Sequence, residues 1–290
     1  MSTLFSRRAW TLTCSSIVLL GIFFTPAFSR SEAQAPRASV VITPTAVPSP
    51  APSPAQTHRA IAAAPQHPVV APPAHEDPRD VFRGLGAWVD LFDFGLSPRA
   101  SVAHMKHAGV RTLYIETGRT NTADALTPAV YPWLVAAHRA GIKVVGWYLP
   151  YYKSPQGEIS RVTAIARYNV GGQHFDGLGI DIEFRSISMP PSVWDRNVVA
   201  LQHGVRAVVG PNYPMAAIVP PPGQMAILPP HWAGFPWAEL GRTSDSIMLM
   251  SYWTDRVGCP AFPQYCAYGY TAMNVRWTRQ LVGARPVVHI

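Results

Sequence analysis

Charge is scarce in these 290 residues, with Asp, Glu, Lys and Arg together making 14% of the chain. Beside 48% hydrophobic residues, so low a charge content excludes a chain that is disordered or coiled-coil throughout. Cysteine is scarcer still, three in all, which excludes a disulfide scaffold for a chain this long. No basic run exceeds Arg7-Arg8, and the net charge of +8 is scattered singly. A nucleic-acid groove needs a clustered basic stripe interleaved with aromatics, so no nucleic-acid partner is expected. Weak attraction to anionic polymers or membrane surfaces is compatible with the excess. The ten histidines show no H-E-x-x-H or similar spacing, and no metal is expected. Gly84-x-Gly86 lacks the third glycine of a dinucleotide loop, so no cofactor is expected either. The G-x-S-x-G elbow of serine hydrolases is missing.

Proline is abundant, 30 in all, too many for one ordinary domain. At the N-terminus Arg7 and Arg8 precede the apolar run Ile17 to Phe24, shorter than the roughly 20 residues a membrane span requires. Residues 1–29 therefore read as an export signal, with small residues at Ala27 and Ser29 for cleavage, or as an N-terminal membrane anchor if cleavage fails. Residues 30–82 alternate Pro with Ala, Ser and Thr and hold few large apolar side chains. They read as an extended, disordered tether.

From residue 83 the pattern becomes strand and helix in alternation, the signature of parallel strands joined by crossover helices. Strands are expected at 84–90, 112–116, 144–149, 177–183, 215–219, 247–253 and 286–290. Helices are expected at 98–108, 128–140, 158–168, 193–209 and 271–282, two of them stopped by Gly109 and Gly141. The crossover between 219 and 247 is expected to be irregular. The fold class is α/β, a TIM (β/α)8-type barrel over 83–290. A closed barrel has eight strands in about 250 residues, so the stretch reads as a barrel truncated after its seventh strand.

In such barrels the reactive groups sit at the carboxyl ends of strands. Side chains alternate across a strand, so Gly179, Asp181 and Glu183 should point inward while Leu178, Ile180 and Ile182 pack on helices. Two carboxylates roughly 7 Å apart on one face cannot both ionise easily in a dry site, and one pKa should rise. The same parity pairs Trp88 with Asp90, Tyr114 with Glu116, Gly146 with Tyr148, and Met250 with Tyr252. Asp90, Glu116, Asp181, Glu183 and Tyr252 would meet at one mouth, rimmed by Trp88, Trp147, Tyr148, Tyr151, Tyr152 and Trp253. Acids beside flat aromatic faces suit a sugar, whose ring C–H faces stack while its hydroxyls bond carboxylates. Each has a plainer reading: Asp181 and Glu183 tied to Arg185, Glu116 paired with Arg119, Asp90 capping a turn with Asp93, and Tyr252 and Trp253 packing the rim. Cys259 and Cys266 would close a small disulfide loop after the sixth strand in an exported protein.

The run Asp176-Gly177-Leu178-Gly179-Ile180-Asp181-Ile182-Glu183 resembles the DGxDxDxE strand of chitinase-like, family-18 glycoside hydrolases, and Met250-Ser251-Tyr252 resembles their MxY segment. That resemblance implies Glu183 as general acid, with Asp181 orienting and Tyr252 holding the substrate's acetamido group. Gly179 stands where that family has Asp, and Trp253 where Asp is usual. Ala140-Gly141-Ile142 through Gly146-Trp147-Tyr148, followed by Asp181-Ile182-Glu183, resembles lysozyme-like, family-25 muramidases. As a whole, 83–290 is similar to secreted bacterial barrel proteins described as glycoside-hydrolase-like.

The expectation is an exported, monomeric glycosidase, secreted or tethered to the outer face of the cell membrane or wall, acting on polysaccharide or a peptidoglycan-type glycan. Glu183, Asp181, Glu116 and Tyr252 would be catalytic; Asp90, Trp88, Trp147, Tyr148 and Trp253 would bind substrate. A non-catalytic glycan-binding barrel and an envelope scaffold are the alternatives.

Overall fold

The computed structural model describes residues 77–253 and 266–290. The export segment, most of the tether, Cys14 and Cys259 lie outside the described residues. Seven parallel strands form one sheet in chain order, each bonded to the next: β1 Gly86–Val89, β2 Thr112–Arg119, β3 Lys143–Leu149, β4 Gly177–Asp181, β5 Met215–Val219, β6 Ser246–Leu249 and β7 Val287–His289. Crossover helices separate them: α1 Pro98–His107, α2 Val130–Arg139, α3 Pro155–Arg167, α4 Pro191–Val209, and α7 Ala267–Val282 before β7. The crossover expected to be irregular carries two short helices, α5 Pro222–Met225 and α6 Trp237–Thr243.

Local chemistry explains the boundaries. Ser97 caps α1, its hydroxyl accepting from the Ala100 amide, and Pro98 fills the first turn where no amide partner is needed. Gly109 and Gly141, just beyond α1 and α2, adopt φ of +82° and +73°, the left-handed conformation that ends a helix cheaply only at glycine. β4 and β5 are buried along their whole length, as strands covered on both faces must be.

Alternation along the strands makes two layers. Leu113, Ile115, Val144, Leu178, Ile180, Ala217 and Ile247 join Val102, Leu134, Val198 and Leu201 of the helices in the outer core. Tyr114, Val145, Ala216, Ile218 and Met248 fill the lumen. The 3-10 turn Asp80–Phe82 closes the floor, with Val81 and Phe82 buried among the lumen residues and Val81 O accepting from the Thr112 hydroxyl at 2.7 Å. The end of the expected tether is thus part of the barrel. Among the described residues β7 pairs with β6 alone, and His289 Nε2 reaches Gly84 O at 3.1 Å across to the β1 side.

Four strands are shorter than their sequence pattern suggests, β7 among them at Val287–His289. β1 starts at Gly86 and β4 stops at Asp181. β6 stops at Leu249, because the amides of Ser251, Tyr252 and Trp253 each bond a carbonyl two residues back, at 2.7–2.9 Å, which turns the chain off the sheet.

Candidate active site

The carboxyl ends of β1, β2 and β4 bring four carboxylates to one end of the barrel. β4 ends on Asp181, buried with one carboxylate oxygen, Oδ1, lacking any partner. Desolvation holds its carboxyl well above the usual range, and the charges of Glu183 and Glu116 push it further. Glu183 lies two residues further on and is exposed. Crowding by the mouth raises its carboxyl too; Arg119 opposes that rise and Glu116 adds to it. Glu116, on β2, is fully buried and raised by desolvation. It is also clasped: Arg119 Nε lies 2.7 Å from Oε1, Arg119 Nη2 donates to Oε2 at 2.9 Å, and the Leu91 amide donates to Oε2 at 3.2 Å. The ion pair with Arg119 is therefore formed, and the register shift between Glu116 and Gly118 lets β2 present both partners at its end.

Asp90 accepts from the Phe92 amide at 2.7 Å, and Asp93 accepts from the Asp90 amide at 3.4 Å, so Asp90 closes the turn after β1. Arg185 does not reach the carboxylates. It donates to Met189 O and contacts His231 Nδ1 at 2.9 Å.

Trp88 stacks on Tyr114 with centroids 4.5 Å apart and meets Trp147 edge-on at 6.1 Å. The Trp147 indole N–H is buried without a hydrogen-bond partner, as is Asp181 Oδ1, so unanswered polar atoms lie on the inward side of both β3 and β4. Gly179 explains the close fit around them: a Cβ there would stand 2.9 Å from Ile218 Cδ1 and 3.2 Å from Trp147 Cβ. The space a side chain would need is already filled.

Two predicted rim residues are corrected. Tyr148 does not line the mouth. It is fully buried in the outer core, and its hydroxyl accepts from Arg161 Nε of α3 at 2.5 Å. Register decides this, since Trp147 is the residue opposite Gly179 and its neighbours must therefore face the helices. Gly146 confirms the outward side, because a Cβ there would strike Ile165 and Phe175. Tyr152 likewise leaves the rim, buried against Trp194 at 5.4 Å. Tyr252 and Trp253 lie beyond β6, half-exposed. Cys266 is disulfide-bonded, while Cys259 falls outside the described residues.

Sequence reasoning missed two exposed aromatics. Phe184, beside Glu183, stacks on Tyr151 at 4.1 Å, and Phe92 lies under the Arg119 guanidinium at 5.3 Å. Their one sequence signal is adjacency to a strand-end acid. Among the described residues no group of three or more His, Cys, Asp or Glu is placed to hold a metal.

No protein-family model matches the chain, and no curated protein matches it. Among solved structures it is similar to the chitinase-like agglutinin of Robinia pseudoacacia, at TM-score 0.50 and 14% identity over 70% of this chain and 68% of that one. It is also similar to a chitinase from Bacteroides thetaiotaomicron, at TM-score 0.46 and 15% identity over 68% and 62%. A third is a muramidase from Trichobolus zukalii, at 0.44 and 12% over 60% and 79%. The chain spans 62% of the length of that chitinase. These likenesses are of fold alone, a (β/α) barrel.

Proposed function

We propose that the chain is an exported glycoside hydrolase cutting a cell-wall or extracellular polysaccharide of the chitin or peptidoglycan type. The observation that carries this reading is the graded exposure of three neighbouring carboxylates, with Glu116 and Asp181 buried and Glu183 alone open to a ligand. Desolvation raises the Glu183 carboxyl above its ordinary range, a shift toward the protonated form that a group donating to a leaving glycosidic oxygen needs. Glu183 is that acid. Asp181, with Oδ1 unanswered, bonds the substrate group beside the reacting carbon or stabilises the positive charge that develops there. Arg119 steadies the carboxylate left on Glu183. Glu116 fixes Arg119, and Tyr252 holds the substrate from the far side. Trp88, Trp147 and Trp253 offer ring faces and Asp90 a hydroxyl acceptor. The protein acts as a monomer outside the cell, on a proline tether released by signal cleavage or held by the N-terminal segment in the membrane.

Glu183→Gln in the full chain tests this. Release of reducing ends from chitin oligomers or peptidoglycan should fall on the order of 10²–10⁴-fold, with an unchanged melting curve. Turnover equal to wild type would end the assignment.

One observation favours a second reading. The Gly179 position has no room for a third inward carboxylate, which suits a barrel that binds glycan without cleaving it. Glycan binding that survives Glu183→Ala with no reducing ends released would select it.

A further inference from the structure

The turn that follows β2 is gripped by α3. Glu158 and Arg161, three residues apart on that helix and so on one face of it, hold the turn with opposite chemistry. Glu158, buried in the first turn of α3, accepts from the Thr120 hydroxyl. Arg161 donates through Nη2 to the carbonyls of Arg119 at 3.0 Å, Thr122 at 2.8 Å and Asp124 at 3.2 Å. Its Nε donates to the Tyr148 hydroxyl at 2.5 Å, which anchors the guanidinium on β3. The oxygens that Arg161 bonds are carbonyls and hydroxyls, with no carboxylate among them.

The turn is also knotted around Thr122. The Arg119 amide donates to Thr122 Oγ1 at 3.0 Å, and that hydroxyl lies 2.7 Å from both Arg119 O and Asp124 O, able to donate to one at a time. Gly118 leaves the knot its room: a Cβ there would stand 3.0 Å from Thr122 Oγ1 and from the carbonyl oxygens of Asp124 and Ala125. Arg119 is thus pinned at its amide by Thr122 and at its carbonyl by Arg161. Its side chain meets the Glu116 carboxylate, and its charge opposes the rise of the Asp181 and Glu183 carboxyls.

We propose that Arg161 is a positioning residue for the carboxylate cluster: by holding the turn 119–124 through its carbonyls, it sets where the Arg119 guanidinium stands relative to Glu116 and Glu183. The bonds of Arg161 fix main-chain position, since three of them end on the backbone of the turn. A charged donor bonds a carbonyl more strongly than a neutral one does. The planar fork lets one group hold the turn and β3 together, which the point charge of a lysine does not. Loosening that hold leaves Arg119 tied to Glu116 but without a fixed origin for its side chain. The effect on turnover rests on the glycosidase reading above; the placement of Arg119 does not.

The Glu183 carboxyl reports the outcome. In the full-length protein with isotope-labelled glutamate, its NMR resonance is assigned by its loss in E183Q and followed against pH. Arg119 pulls that carboxyl down, so releasing Arg119 lets it rise: in R161Q it should titrate about one pH unit higher than in wild type. R161K keeps the charge without the fork and should shift as R161Q does. R167Q, at the last residue of the same helix, where the guanidinium bonds Thr163, should titrate as wild type. Turnover should follow, with kcat lower on the order of 10²-fold, KM little changed, and the alkaline limb of the pH profile moved up with the acid. If R161Q melts early, T122A, confined to the turn, should give the same shift in smaller measure. An unmoved Glu183 titration in folded R161Q and T122A, or a wild-type titration in R161K, overturns the positioning role. The expected titration shift in a protein that cleaves no glycan supports that role and sinks the hydrolase assignment instead.

Discussion

The Tyr152 hydroxyl donates to the backbone carbonyl of Asp181 across 3.0 Å. Tyr152 is the single non-glycine residue with positive φ among the described residues, at +57°, and Asn197 Nδ2 donates to its carbonyl at 2.7 Å. A left-handed residue in the β3–α3 loop therefore fixes the last residue of β4 from behind. Tyr152→Phe should cost about 1–2 kcal/mol, since a buried carbonyl loses its donor. It should also lower kcat more than it raises KM, because Asp181 loses its backing while the mouth stays intact. Denaturant unfolding and steady-state kinetics on one preparation measure both effects.

Asp181 sets a pH-dependent stability cost. Its folded pKa lies well above the 3.8 of an exposed aspartate, so the unfolded chain ionises first and stability falls as pH rises above about 3.8 until the folded group ionises too. Asp181→Asn removes that cost. The variant should melt higher than wild type at pH 7 and lose the advantage as pH approaches 4, while glycan cleavage is impaired throughout. Calorimetry across that pH range checks the sign.

His138 and Asp176 make the opposite kind of pair. Asp176 lies 3.1 Å from His138 Nε2, accepts from the Val144 amide at 2.7 Å, and faces Lys143. The bond to Asp176 outweighs burial and raises the His138 imidazole above 6.5. Burial pushes Asp176 up, but His138, the Val144 amide and Lys143 together bring it below 3.8. The His138 contribution is full below pH 6.5 and lost as pH rises through its raised folded value; that of Asp176 is full above 3.8 and lost as pH falls through its lowered one. His138→Ala should therefore destabilise more at pH 6 than at pH 9, read by thermal melts at the two values.

Gly179→Asp should cost about 1–3 kcal/mol through overpacking against Ile218 and Trp147. Gly179→Asp with Ile218→Ala should recover part of that loss, because the removed side chain vacates the place the new one needs. A double-mutant cycle of unfolding free energies reads the coupling.

Much of the fold is legible in the sequence because parallel strands buried on both faces leave unbroken apolar runs, as at 177–180 and 215–219. The inward side of β4 is legible too, since Leu178, Ile180 and Ile182 can only be the helix-facing set. β3 is not, because Gly146, Trp147 and Tyr148 offer no polar residue to fix the phase. Its side is settled by the partner strand, where Trp147 falls opposite Gly179. The clasp on Glu116 is foreseeable from Arg119, but the Leu91 amide comes from 25 residues upstream, a closure no local pattern encodes. Tyr252 reads as a strand residue because Met250-Ser251-Tyr252 alternates well. The bonds that pull it off the sheet run between backbone amides and carbonyls, and side-chain alternation carries no trace of them.

Val81 and Phe82, wedged beneath Tyr114, Val145 and Met248, make the barrel a cup with its base filled. If the chain is the hydrolase proposed above, a long sugar chain would lie across the brim or dip one residue inside, and the filled base would favour cuts at scattered points along a polymer over threading through the floor.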